Sequence, residues 1–258
     1  MIPVYSEVSG EDFNILYSDT KFYKFLNNDF THYDYVYNLG LNINIEYFRP
    51  CGTCTGGGLY FCDEFNCHTF WKNYGTKLAF VTIPKNARVY IEHNKFKADR
   101  IIIDDIKDFD DVSDEFWIRI LPKDTSALQF IKDQTDDICR YAIRQKYSAL
   151  QFVRDQTYDI CKFAIQVNSN ALEFVRDQSR EMCMLAIWND GLVLKYVIDQ
   201  TDEICRLAVW TNGLALEYVK NQTSGLCKIA VQQNGSAIWH VEKSMITDEL
   251  CELADRRI

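Results

Sequence analysis

A 22-residue spacing governs the second half of this 258-residue chain. Cys139, Cys161, Cys183, Cys205 and Cys227 recur at that interval, and Cys251 follows after 24. The segments around them align without gaps. SALQFIKDQTDDICRYAIRQK begins at Ser126, SALQFVRDQTYDICKFAIQVN at Ser148, and three further copies follow before the last, SAIWHVEKSMITDELCELADRRI, which carries two extra residues. A fixed period of this kind specifies a repeat architecture, in which each unit buries its apolar face against its neighbours.

Each unit holds two apolar clusters, Ala149, Leu150, Phe152 and Val153, then Ile160, Cys161, Phe163, Ala164 and Ile165. Spacings of one, three and four put each cluster on one helical face. Thr157 is placed to cap the second helix, and Asp159 lies in its first turn, where the helix dipole favours an acid. Gly191, Gly213 and Gly235 mark the turn to the next unit. The sequence therefore predicts an all-α solenoid of six two-helix repeats over residues 121–258. The recurring cysteine is expected to be a small buried packing residue, since stacked units stand about 9–10 Å apart, beyond the ~7 Å reach of a disulfide.

The series resembles short tandem helical repeats of uncharacterised function, abundant in proteins of giant DNA viruses, that share the signature ALxxVxxQTxxICxxAVxxNG. The match covers about residues 121–240. It implies a viral origin and a repeat fold, and it supplies no activity.

Residues 1–103 read differently. KLAFVTIP (77–84), ARVYIEH (87–93) and DRIIID (99–104) carry strand signals, with helical periodicity near Glu11–Leu26 and Asp63–Lys72. An α+β head domain with a mixed sheet is expected over 1–103. Residues 104–120 read as an acidic linker and cap, because seven of the twelve residues 104–115 are acidic.

Net charge is −9, which disfavours nucleic acid as a general partner. No apolar run approaches the ~18–20 residues of a membrane span. The segment MIPVYSEVSGEDF lacks the basic and apolar regions of a secretory signal, so an intracellular setting is expected, host cytoplasm or virion if the chain is viral. A protein is the expected partner. Trp188 and Trp210 share one slot in consecutive units, and Trp239 lies in the last. They read either as core or as exposed binding anchors.

Two groups in the head could carry chemistry. Cys51, Cys54, Cys62, Cys67 and His68 offer zinc ligands, yet the single CxxC has no second pair, and ordinary thiols with no metal are the expected state. The other group is His32, the segment Tyr37–Leu41, the run GGLYF from Gly57, and Ala98-Asp99-Arg100 leading a late strand. Their order resembles the split-sheet ADP-ribosyltransferase fold of the poly(ADP-ribose) polymerase type over residues 30–103. The resemblance implies catalytic roles for His32, Tyr60 and Asp99, and NAD held by His32, Gly57, Gly58 and Tyr60. Asp99 departs from the glutamate usual in that family, and Tyr33 from the glycine after its histidine. The composition and the repeat, taken without this resemblance, point to a non-catalytic interaction protein that uses no cofactor, with a structural virion component as a further alternative.

Overall fold

A computed structural model describes residues 4–32, 34–51, 56–72 and 75–256. The chain divides into two compact units, 1–132 and 133–258.

The first unit contains β1 (Ser6–Ser9), α1 (Gly10–Leu16), β2 (Phe22–Leu26), β3 (Thr31–His32), β4 (Tyr35–Val36), β5 (Gly40–Ile43), β6 (Leu59–Asp63), β7 (Lys77–Thr82), β8 (Arg88–Ile91), β9 (Phe96–Ala98), β10 (Arg100–Asp108) and α2 (Asp114–Ile120). Eight strands form one sheet in the order β1-β8-β9-β6-β2-β7-β10-β5, while β3 and β4 make a small ribbon. Every pairing among the described residues is antiparallel, in place of the expected mixed sheet.

Strand β2 explains much of this unit. All five of its residues, Phe-Tyr-Lys-Phe-Leu, are buried, because both faces of the sheet are covered. On one face Phe22 meets Phe13 of α1 at 5.1 Å between ring centroids. On the other, Tyr23 meets Phe116 at 5.0 Å and Phe25 meets Phe109 at 5.9 Å. A strand buried on both faces shows no alternation. The helical reading of Glu11–Leu26 therefore fails beyond Leu16, where α1 stops. Within Asp63–Lys72 a single 3-10 turn forms, Cys67–Thr69.

The acidic segment is folded structure, not a linker. Its first residues extend β10 to Asp108, paired with β7. The carboxylates lie on the solvent side, where Asp104 accepts a 2.6 Å bond from Thr82 and Asp108 meets Lys77 at 2.7 Å. The apolar residues between the acids, Phe109, Val112, Phe116 and Trp117, are buried. Trp117 stacks on Phe130 at 4.5 Å, and Trp71 lies 5.3 Å from Phe130. The Trp71 indole N–H donates to Asp124, which also pairs with Lys72 at 2.7 Å. The first half of the first repeat, Thr125–Phe130, thus belongs to the same compact unit as the sheet.

The second unit is a run of tandem helical units. Its α-helices are α3 (Asp136–Gln145), α4 (Tyr158–Val167), α5 (Arg180–Asn189), α6 (Asp202–Thr211), α7 (Ser224–Gln233) and α8 (Asp248–Asp255). Thr135, Thr157, Ser179, Thr201, Thr223 and Thr247 cap them, each hydroxyl accepting from the amide three residues on. The segments before the helices, such as Tyr147–Phe152 and Ser169–Phe174, are 3-10 helices of six residues, where two-helix sequence patterning suggested a second α-helix. They are too short to sustain α geometry alone, and each ends in an extended valine or isoleucine, as at Val175.

One side chain per unit joins successive units. Gln156 donates to the carbonyls of Leu150 and Phe174 and accepts from the amide of Arg176, all within 3.0 Å. Gln178, Gln200 and Gln222 repeat this pattern one unit further on each time. Cys139, Cys161, Cys183, Cys205 and Cys227 are buried, whereas Cys251 is exposed, since no further unit covers it among the described residues. The glycines answer to packing. A Cβ on Gly191 or Gly213 would stand 2.6 or 2.3 Å from the carbonyl oxygen of Ala208 or Ala230 in the following α-helix.

Candidate functional site

The sheet splits between β2 and β6. Their ladder contains two residue pairs, Phe22 with Asp63 and Tyr23 with Cys62. Beyond them β2 continues along β7, while Leu59, Tyr60 and Phe61 pair with β9. Lys24 bridges the gap, its ammonium donating to the Tyr60 carbonyl at 2.8 Å. A cleft of about 420 Å³ opens there, lined by Lys24, His32, Tyr37, Gly57, Gly58, Tyr60 and Lys95 among others.

Charge in the cleft is unusual. Lys24 is 3% exposed and points between Phe22 and Leu26 on the apolar face. Its Nζ lies 4.5 Å from the Tyr37 ring centroid. Among the described residues no carboxylate pairs with it. Burial pushes its pKa down to about 7. His32 is pushed down to about 4, chiefly by burial and then by Lys24 and Lys95, although a hydrogen bond to the Phe25 carbonyl acts the other way. Its imidazole is neutral at physiological pH. Lys95 pairs with the buried Glu92 at 3.8 Å and lies 4.5 Å from the Tyr60 ring. Burial raises the Glu92 pKa, and its Oε1 accepts no hydrogen bond among the described residues.

His32, Tyr60, Gly57 and Gly58 therefore line one cleft, but Asp99 is not among its lining residues. The Asp99 carboxylate accepts from the Arg88 amide at 2.8 Å and from the Arg100 guanidinium at 3.1 Å. It ties the β9–β10 corner to β8. The glycines have a packing reason of their own. A Cβ on Gly57, at φ +85°, would stand 2.6 Å from the Tyr47 carbonyl, and one on Gly58 2.4 Å from Lys97. Lys97 in turn donates to the carbonyls of Arg49 and Cys51. The glycine of the Tyr37–Leu41 segment opens β5, and among the described residues no helix lies between β4 and β5.

The candidate zinc ligands are dispersed. Cys62 and Cys67 touch, with sulfurs 3.5 Å apart, and each thiol donates to a backbone carbonyl. His68 turns its Nδ1 to the Phe65 carbonyl. Cys51 is exposed, and Cys54 lies outside the described residues. Among the described residues no three His, Cys, Asp or Glu side chains are grouped to hold a metal.

On the helical units Trp188, Trp210 and Trp239 are 63%, 59% and 82% exposed. The rings of Trp188 and Trp210 lie 5.8 Å apart. The same slot holds Gln166 in the preceding unit and Gln232 in the following one, while Glu217 and Lys195 occupy the slot of Trp239. A groove beside Trp210 is lined by Met184, Leu207 and Ile229 together with Glu203, Arg206, Gln232 and Gln233. Lys24 was missed by sequence reasoning. Its signal was a lysine inside an otherwise apolar five-residue strand.

No family model matches the chain, and no solved structure matches it. It is 39% identical over 70 residues to a putative ankyrin repeat protein of Acanthamoeba polyphaga mimivirus, a stretch covering 25% of this chain and 11% of that protein. The likeness is to a repeat protein of a giant virus. The 22-residue period here differs from the ~33 residues of an ankyrin repeat. Among the described residues no helix is long and apolar enough to cross a membrane.

Proposed function

We propose that this chain is a viral protein-interaction protein, acting inside the infected cell or the virion, whose helical solenoid holds a protein partner. The observation that carries this reading is the exposure of Trp188 and Trp210 as an adjacent indole pair. Neighbouring units place glutamine in that slot, so folding of the unit does not call for an indole. Tryptophan is the residue most enriched at interface hot spots, where it buries a large area at small entropic cost. The groove beside Trp210 extends the same surface. The giant-virus repeat relative supports an interaction role in general.

The test is site-specific photo-crosslinking from position 210, followed by affinity measurement with the captured partner. Trp188→Ala with Trp210→Ala should weaken binding by about 30-fold or more, the scale of a hot spot, and leave the melting transition unchanged. Undiminished binding by the double variant sinks the reading. A purely structural virion role predicts self-association with no dependence on the indoles.

A second reading, an NAD-dependent ADP-ribosyltransferase or an inactive relative, draws on one observation: His32, Gly57, Gly58 and Tyr60 share a cleft. Asp99 lies outside the lining of that cleft. The expected result with labelled NAD is no transfer by the wild type. Transfer abolished by Tyr60→Ala would reverse that.

A further inference from the structure

Lys24 is a buried ammonium with no carboxylate beside it among the described residues. It stands between Phe22 and Leu26 on one face of β2, donating to one neutral carbonyl and facing one aromatic ring, at the edge of a cleft. Buried ammonium groups are normally paired. At the split between β2 and β6 the ammonium does one structural job, the bond to the Tyr60 carbonyl. A methionine would fill the same volume among these neighbours at lower cost, giving up only the bond to Tyr60. The cation is therefore placed for something that enters the cleft.

We propose that the cleft between β2 and β6 binds a small oxyanion, phosphate or carboxylate, whose negative charge is received by Lys24. Lys95 adds positive potential from the opposite lip, partly offset by Glu92. His32, hydrogen-bonded to the Phe25 carbonyl, forms part of the cleft wall. Lys24 is buried against the Tyr37 ring, and the low local dielectric this creates strengthens the attraction. The acids among the lining residues, Asp34 and Glu46, are both exposed and are screened by solvent. The ammonium keeps its bond to the Tyr60 carbonyl and still has protons to donate, since a lysine carries three. This site stands apart from the indole pair and does not depend on NAD.

Thermal denaturation of the full chain tests it, with inorganic phosphate and acetate as probes and chloride at matched ionic strength as the reference. The head transition should rise by about 2 °C or more with the bound anion. Phosphate and acetate together separate the two anion classes. Lys24→Met should abolish the rise and Lys24→Arg should retain part of it. A second measurement needs no variant. Pyridoxal phosphate carries both an anion and an aldehyde. The lysine amine adds to its carbonyl carbon, water leaves, and borohydride delivers hydride to the C=N bond, leaving a stable secondary amine. Mapping by mass spectrometry should find Lys24 modified at least about ten-fold faster than exposed lysines, and inorganic phosphate should protect it. An equal rise with chloride, a rise retained in Lys24→Met, or labelling of Lys24 no faster than of exposed lysines would overturn the proposal.

Discussion

Gln156 holds the backbone of the following unit at Arg176, accepting its amide at 3.0 Å while donating to the carbonyl of Phe174 at 3.0 Å. The same amide group reaches back to Leu150 at 2.9 Å. Three backbone groups depend on one side chain, at about 1 kcal/mol net each. Gln156→Ala should therefore cost roughly 2–4 kcal/mol in denaturant titration. Gln156→Glu should be no better at neutral pH, because a carboxylate cannot donate to the two carbonyls. Its loss should shrink in acid, once the carboxyl is protonated.

Leucine, not phenylalanine, is the core residue of the 3-10 segments. Leu172 is fully buried, whereas Phe174 is half-buried. Leu172→Ala should cost about 2–5 kcal/mol, and Phe174→Ala less than that. The effect should be strongest in amide exchange of α4 and α5, since repeat units couple mainly to their neighbours. A larger loss at Phe174 would show that the apolar face has been misassigned.

Thiol labelling should divide the cysteines. Cys51 and Cys251 are exposed and should react in the native protein. Cys139, Cys161, Cys183, Cys205 and Cys227 should wait for unfolding, both because they are covered and because burial raises their thiol pKa. Rapid native labelling at Cys161 or Cys183 would contradict the packing described.

Two bases in the cleft set a pH dependence. His32 and Lys24 both have folded pKa values below their ordinary ones, about 4 and about 7. The unfolded chain therefore holds the extra proton between about 4 and 6.5 for His32, and between about 7 and 10.4 for Lys24. Stability of the head should rise with pH through both windows and fall as pH drops through them. Lys24→Met should flatten the upper rise. A denaturant midpoint for the head that is flat from pH 7 to 10 in the wild type would show that Lys24 is solvated.

The helical half was largely legible because its information is local and repeated. The threonine caps and the buried cysteines follow from one period. The 3-10 geometry was not legible, since a six-residue apolar cluster has the same spacing in either helix. The limit of the first compact unit fell at Lys132, inside a repeat, because Trp71 and Trp117 reach Phe130 across sequence separations that no local pattern encodes. In the cleft, GGLYF and His32 marked residues that do lie together. Asp99 lies outside the cleft lining, beside Arg88 and Arg100, whose positions are fixed by strand pairing. Lys24 was overlooked because a charge within an apolar run reads as a solvent-facing position, and only the covering of both faces of β2 shows otherwise.

The glutamine joint has a consequence for inheritance. What it grips in the next unit is main chain, a carbonyl and an amide that every residue type but proline possesses, so the joint is indifferent to which copy follows. A gene that duplicates or deletes one whole period leaves each remaining joint intact and alters only the length of the array. The surface residues, Trp188 and Trp210 included, can then diverge copy by copy with the junctions unchanged. Variation in reach and variation in recognition are uncoupled, and a lineage could change either one in a single event.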